Sequence, residues 1–286
     1  MLMEKGRRLF FVLGVPKSGT TWLQQLLDAH PNIICTGEGA LHWYLAAMRQ
    51  GARDYNRHLS ARRAIFQKQL FPPLAAREMR RLAHFFVVQR LQSAVGEASA
   101  SQVDWIGNKD PDHGTNMEVM ARLFPRAAYI HIIRDGRDQL VSLWRHMQRH
   151  HPKYQPDRFA SLDKMLAERG AKWATYIRNV RKVAAQARLR YHELRYEDLG
   201  AESEATFQSV LNFLAVDASF DVIRNCLSAA DFATLSGGRA RGEEDVNSFY
   251  RKGVAGDWRN HLSNEQSEDF CAASGGLIAE LGYEDI

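Results

Sequence analysis

Apolar positions in this 286-residue chain form short runs that alternate with longer amphipathic stretches. Leu9 to Leu13 is a compact apolar run stopped by a Gly/Pro/Lys/Ser/Gly turn, which predicts a buried strand. From Ser18 to about Ala29 the apolar residues Trp22, Leu23, Leu26 and Leu27 share one helical face, and His30-Pro31 stops the helix. Ile33-Ile34-Cys35 predicts a short second strand. Residues 40 to about 92 are helical in period and basic, with Arg62, Arg63, Lys68, Arg77, Arg80 and Arg81. Phe71-Pro72-Pro73 divides that stretch into at least two helices. Trp105-Ile106-Gly107 leads to Asn108-Lys109-Asp110-Pro111, a strand edge followed by a turn. A helix ending near Phe124-Pro125 follows, then a strand from Ala128 to Ile133 and a helix from Arg134-Asp135-Gly136 to about Gln148. Next come a helix from about Leu162 to Ala187 and a strand from Leu189 to Tyr196. The remainder is mostly helical, apart from a Gly-rich charged segment at Ser236 to Asn247. Strands alternating with helices predict an α/β fold, with a central parallel sheet, right-handed crossovers and helices on both faces.

Composition changes this picture little. Hydrophobic residues at 45% and charged residues at 25% are ordinary for a globular chain. With no internal repeat, low-complexity tract or linker, residues 1–286 are expected to form one domain, with a helical insertion at about 40–101. A net charge of +5 favours an anionic ligand without requiring nucleic acid. Cys35, Cys226 and Cys271 are odd in number and lack metal-ligand spacing, which fits a reducing compartment. Lys5, Arg7 and Arg8 precede an apolar run too short for a signal peptide. No stretch approaches the ~20 apolar residues that span a bilayer. The expectation is a cytoplasmic protein without a membrane span.

Candidate chemistry begins at Gly14-Val15-Pro16-Lys17-Ser18-Gly19-Thr20-Thr21-Trp22. A strand–loop–helix of this composition is a phosphate cradle, in which loop and helix N–H groups meet an anion and Lys17, Ser18, Thr20 and Thr21 add donors. A nucleoside-triphosphatase loop needs Lys-Ser/Thr directly after the second glycine, whereas here Lys17 precedes Gly19. A second anion signal is the strand Tyr129 to Ile133, which delivers Arg134 to the start of a helix carrying Ser142. A guanidinium fork and a hydroxyl suit a phosphate, although Arg134 also has Asp135 and Asp138 as possible partners. The third is Arg251-Lys252-Gly253, where two adjacent cations beside a glycine allow close approach to a dianion.

In this order the three segments resemble sulfotransferases that use 3′-phosphoadenosine 5′-phosphosulfate (PAPS), over about residues 9 to 260. The resemblance implies a P-loop-type domain with PAPS as sulfuryl donor and adenosine 3′,5′-bisphosphate as product. Lys17, Ser18, Gly19, Thr20, Thr21 and Trp22 then form the 5′-phosphosulfate loop, and Arg134, Ser142, Arg251, Lys252 and Gly253 the 3′-phosphate site. Tyr196, in Tyr196-Glu197-Asp198-Leu199, meets the adenine. Phe232 is a candidate stacking partner or a core aromatic.

Many members of the family use Lys-x-His, whose histidine deprotonates the acceptor; here Asp110 and Pro111 follow Lys109. Asn108-Lys109-Asp110-Pro111, with Leu27-Asp28-Ala29-His30-Pro31 and Gly37-Glu38, is instead similar to tyrosylprotein sulfotransferases, in which a glutamate shortly after the first helix is the base. That implies Glu38 as base, with His42 and His113 as alternatives, and Lys17 and Lys109 as catalytic cations.

No metal is expected, although His146, His150 and His151 cluster in sequence. The expected acceptor is a small-molecule hydroxyl. The tyrosylprotein-like motifs admit a peptide tyrosine, against which a cytoplasmic location counts. Two other readings stay open: a P-loop kinase or nucleoside triphosphatase, and a catalytically inactive nucleotide-binding protein of the same fold. Ser236 to Asn247, with its glycines just before Arg251, is expected to be a mobile lid that orders when nucleotide binds.

Overall fold

The computed structural model describes residues 6–66, 71–95, 103–150 and 161–283. Five strands, β1 (Arg8–Leu13), β2 (Ile33–Thr36), β3 (Trp105–Lys109), β4 (Ala128–Ile133) and β5 (Arg190–Arg195), form one sheet in the order β2-β3-β1-β4-β5. Every pairing is parallel. The three inner strands are almost wholly buried, whereas β2 and β5 bury only some positions, as edge strands do. That burial explains why β1 and β4 read as mostly apolar runs, while β3 carries the buried polar Asn108 and Lys109 at its end. Glycine is needed once in the sheet: Gly107 pairs with Phe10, and a Cβ there would lie 2.1 Å from the Phe10 ring.

Between the strands run α1 (Thr20–Asp28), α2 (Leu41–Phe66), α3 (Ala76–Gln92), α4 (Asp112–Thr115), α5 (Met117–Leu123), α6 (Gly136–His150) and α7 (Asp163–Gln186). After β5 come α8 (Tyr196–Ala201), α9 (Ser203–Leu214), α10 (Phe220–Ala229), α11 (Phe232–Ser236), α12 (Asn264–Ala273) and α13 (Leu277–Glu280). Strand alternation sorts the core. Phe10, Val12, Ile130 and Ile132 face α1, α9 and α10, while Phe11, Leu13 and Tyr129 face α2, α3, α5 and α7. A third cluster joins α6, α7, α12 and α13 around Trp173 and Phe270. Each such fully buried large side chain contributes roughly 1.5–3 kcal/mol.

The predicted α/β order is observed, with three local differences. α1 begins at Thr20 rather than Ser18 because Lys17 and Gly19 are left-handed, with φ of 76° and 90°. The helix expected before Phe124 is two short ones, α4 and α5. β5 stops at Arg195, because Tyr196 opens α8 after an extended Arg195. Chain direction changes side around β1: β1 leads outward to β2, while β3 crosses over to β4 on the other flank. The loops after β1, β3, β4 and β5 therefore converge beyond the carboxyl ends of the strands, where parallel sheets bind ligands.

Candidate active site

Those loops enclose a cavity of about 470 Å³. On its β1 side, Ser18 N–H donates to Val15 O at 3.0 Å and closes the turn. Gly14 allows the loop to press on β4, since a Cβ there would lie 2.6 Å from Ile132 O. Its N–H donates to Tyr176 Oη at 3.1 Å, and that hydroxyl donates to Pro111 O at 2.8 Å. α7 thus ties the β1 loop to the β3 loop. Lys17 holds a left-handed conformation, which costs a non-glycine residue about 1–3 kcal/mol and is found mainly where function demands it. The first turn of α1 has neither a capping side chain nor an acidic residue. Ser18 is fully buried, and its Oγ has no hydrogen-bond partner among the described residues. An unpaired buried hydroxyl is costly; set among N–H groups at a helix N-terminus, it fits a phosphate-bearing ligand.

The β4 side supplies Arg134, which is 8% exposed. Its guanidinium donates to Lys17 O at 3.3 Å and Val254 O at 3.0 Å, and lies 4.5 Å from the centre of the Tyr196 ring. Of its two possible partners, it meets Asp138 at 3.6 Å, while Asp135 takes Arg137 at 2.7 Å. Asp138 in turn accepts from Gly256 N at 2.7 Å and Trp258 N at 2.8 Å, which anchors the C-terminal segment to α6. Within that segment Arg251 and Lys252 both reach Asp257, at 2.5 and 2.6 Å, and Arg251 also reaches Glu244 at 2.5 Å. Burial works against the Asp257 charge, but hydrogen bonds from Lys252, Arg251 and Asn260 hold its carboxyl far below the usual range. Gly253, with φ of 69°, packs under the Phe232 ring. Trp22, Tyr196 and Phe232 form the aromatic part of the cavity wall.

Opposite the phosphate loop, Lys109 at the end of β3 donates to Glu38 Oε1 at 2.7 Å. Lys109 is buried and Glu38 exposed, and among the described residues Glu38 Oε2 takes no hydrogen bond. Asn108 holds the loop that carries Glu38: its Nδ2 donates to Gly37 O at 2.6 Å and Thr36 Oγ1 at 2.9 Å. Its Oδ1 can only accept, so His113 Nε2–H donates to it at 2.8 Å, and His113 Nδ1 then accepts from His42 Nε2–H at 2.9 Å. Burial and the neighbouring His42 push His113 well below the usual histidine range. Burial lowers His42 as well. Neither ring lines the cavity, whereas Glu38 does. Burial raises the Asp110 carboxyl, which lines the wall beside Glu38.

Lys17, Gly19, Thr20, Thr21, Trp22, Glu38, Arg134, Ser142, Tyr196, Arg251, Lys252 and Gly253 therefore share one cavity wall. Ser18 lies beneath the loop, and Lys109 reaches the wall through Glu38. Sequence reasoning named Asp138 only as a partner for Arg134, and it missed Asp257 and the Tyr176 hydroxyl, whose signals are single polar residues inside helices and turns. It also missed Phe249, whose ring centre lies 4.2 Å from Lys17 Nζ. Phe249 follows the expected lid, where Arg239 donates to Tyr250 O at 2.6 Å and Arg251 O at 2.9 Å. Among the described residues no group of three metal-ligating side chains is close enough to hold an ion. His151 lies outside those residues, and so does the His150 side chain.

Two predictions arise here. A Cβ at Gly19 would lie 2.4 Å from the Tyr196 ring, whereas at Gly237, also left-handed, nothing lies within 4 Å. Gly237→Ala is expected to cost about 1 kcal/mol of strain. Gly19→Ala adds overpacking of a further 1–3 kcal/mol and displaces Tyr196. Urea denaturation of the two variants measures the difference.

The second concerns Lys17, which burial and then Arg149, Arg134 and Lys109 lower from 10.5 to about 8. Between those values the unfolded chain binds more protons, so this group's contribution to stability rises with pH. An anion in the loop restores the charge. Binding adenosine 3′,5′-bisphosphate at pH 8.5–10 is therefore expected to take up protons, which calorimetry in buffers of different ionisation enthalpy detects.

Comparison with known proteins agrees with this geometry. The sulfotransferase family model matches residues 10–221, and the chain belongs to that family. Protein-tyrosine sulfotransferase 1 of Danio rerio is 27% identical over 150 residues, which is 50% of this chain and 37% of the relative. The chain thus spans little more than a third of that relative's length. Sulfotransferase 1 family member D1 of Rattus norvegicus is 22% identical over 275 residues, covering 89% of this chain and 78% of the relative. The crystal structure of mouse sulfotransferase SULT7A1 complexed with PAP shares the fold, with a TM-score of 0.59, 16% identity and coverage of 99% and 87%. One expectation is corrected. A small-molecule acceptor conflicts with relatives that are protein-tyrosine sulfotransferases, named for a protein acceptor. Among the described residues no helix is long and apolar enough to cross a membrane.

Proposed function

We propose that this protein is a PAPS-dependent O-sulfotransferase that acts on a tyrosine hydroxyl of a polypeptide. One observation carries the reading: the phosphate loop, with Lys17 and the unpartnered Ser18 hydroxyl, faces a Lys109-paired Glu38 across a single cavity. In this reading Lys17, Ser18, Thr20 and Thr21 hold the 5′ end of the nucleotide and Arg134, Ser142, Arg251, Lys252 and Gly253 its 3′-phosphate. Trp22 and Tyr196 hold the base. Bound there, the donor supplies an activated sulfuryl group. Glu38 takes the acceptor hydroxyl proton as the acceptor oxygen bonds to sulfur and the bridging S–O bond breaks. Lys17 and Lys109 stabilise the charge gathered on the departing oxygen. The tyrosine acceptor is supported by the relatives, and by the Asn108-Lys109-Asp110-Pro111 segment standing where Lys-x-His is absent.

The same reading treats residues 1–286 as one domain, with α2 and α3 of the 40–101 insertion on the acceptor side. It includes a cytoplasmic location, supported by three cysteines that form no disulfide.

The test is thermal stabilisation by adenosine 3′,5′-bisphosphate against ATP with Mg²⁺, followed by transfer to a tyrosine peptide. A ligand that binds only the native state must raise its stability. A shift with the bisphosphate that is lost in Arg251→Ala, with transfer to the peptide, is expected. A shift only with ATP and Mg²⁺ would replace the reading with a kinase.

A further inference from the structure

Charge is distributed unevenly along the chain. Residues 41–92 carry ten Lys and Arg against two Asp and Glu, while the rest carries 28 against 31. The α2–α3 pair and its connection therefore hold the whole positive excess. Between α2, α3 and α5 lies a trough of about 460 Å³ that shares no lining residue with the active-site cavity. Its floor is apolar: Leu45, Met48, Met79, Ala83, Val119 and Leu123. Its charged lining is Arg49, Arg53, Arg80 and Arg122, with no carboxylate among the lining residues. Arg53 is engaged by Gln50 at 3.1 Å and Arg122 by Glu118 at 2.9 Å. Arg49 and Arg80 make no hydrogen bond or ion pair among the described residues.

The floor decides which kind of anion fits. Its one uncharged polar side chain, Asn56, is spent on Leu74, donating to its carbonyl at 3.0 Å and accepting from its N–H at 2.8 Å. A polypeptide laid in the trough would bury backbone N–H groups with no free side-chain acceptor in the lining to meet them, which is costly. A hydrocarbon chain needs no such partners. The volume lies in the range of small-ligand pockets that are mostly apolar with a few placed charges, and a concave trough suits one chain rather than a bilayer surface.

We propose that the α2–α3–α5 trough binds a free single-chain anionic amphiphile. Its hydrocarbon chain lies on the Met48–Met79 floor, and its carboxylate, sulfate or phosphate head pairs with Arg49 and Arg80. This site is independent of the sulfuryl-transfer reading.

The experiment uses the full chain with methionine methyls labelled with carbon-13 and titrates sodium decanoate below its micelle concentration. Saturable shifts led by the Met48 and Met79 methyls are expected, with the other six methionines as internal controls. Arg49 and Arg80 are both exposed, so the double variant Arg49→Ala/Arg80→Ala should keep its methyl spectrum and weaken decanoate binding at least tenfold. Met79→Trp, which fills the floor, should abolish binding. Equal binding of decyltrimethylammonium or decanol would overturn the anionic head. Binding of a Glu-rich peptide without decanoate would reassign the trough to acidic polypeptides. Binding only to phosphatidylserine vesicles would reassign it to a membrane surface.

Discussion

Lys17→Ala is expected to lower turnover a hundredfold to a thousandfold while leaving the unfolding midpoint unchanged or slightly higher. Removing one donor aimed at developing charge typically costs about 2.7–4 kcal/mol in the transition state. Lys17 sits on the loop that faces Glu38, and its carbonyl accepts from Arg134 at 3.3 Å whatever its side chain. Alanine therefore removes the ammonium but leaves the strut in place. Stability does not fall in parallel, because the ammonium is buried among Arg149, Arg134 and Lys109 and is already driven toward neutrality at about pH 8. The variant loses a repulsive charge, and alanine occupies the left-handed position at a similar backbone cost. Lys17→Arg restores charge without the compact shape of an ammonium, so only partial rescue is expected. Single-turnover rates at saturating donor separate the chemical step from binding. A loss smaller than tenfold would remove Lys17 from the transition state and leave it as a binding residue.

The parts of this protein legible in its sequence are those where local chemistry decides the outcome. Leu9–Leu13 and Ala128–Ile133 read as strands because burial on both faces favours runs that are almost wholly apolar. The phosphate loop was visible because Gly14, Lys17, Ser18 and Gly19 are consecutive with their strand and helix. Pairings between distant segments were not visible. Arg134 has two carboxylates within four residues; Asp135 is taken by Arg137, and Asp138 meets both Arg134 and the distant Gly256–Trp258 turn. Asn108, His113 and His42 form one chain of hydrogen bonds, yet His42 lies 71 residues from His113. As separate histidines they read as alternative bases. Joined, they support the loop that bears Glu38. Phe249 covers Lys17 from just beyond a Gly-rich, charged segment, and nothing in the local sequence signals that contact. In residues 41–92 helical period was plain, but the trough depends on which faces of α2, α3 and α5 meet, and a single helix does not encode that. The acceptor was misjudged for a related reason: the motifs report the donor side, and acceptor preference lies in the helices that match no motif.

Arg134→Ala tests whether the site's main strut is also a ligand contact. Arg134 joins three segments: the β1 loop through Lys17 O, the C-terminal segment through Val254 O, and α6 through Asp138. Removing one partner of a buried ion pair commonly costs 3–5 kcal/mol. Asp138 keeps two backbone N–H donors at 2.7 and 2.8 Å, so the loss is expected at the lower end, about 3 kcal/mol. Urea denaturation measures it. The binding loss is measured separately, as the extra stability gained on adding adenosine 3′,5′-bisphosphate. In the wild type that gain is about 2.7 kcal/mol when the ligand is present at a hundred times its dissociation constant. In Arg134→Ala at the same concentration the gain is expected to vanish. Ser142→Ala removes only a hydroxyl from the same wall, so it should fold with nearly wild-type stability and lose part of the gain. Arg134→Lys keeps the charge, but one ammonium does not reproduce a planar fork reaching two carbonyls, and an intermediate loss of both quantities is expected. If Arg134→Ala unfolds more easily yet keeps the full ligand-induced gain, Arg134 is a strut alone. The 3′-phosphate would then rest on Arg251 and Lys252, which can meet it only by giving up part of their hold on Asp257.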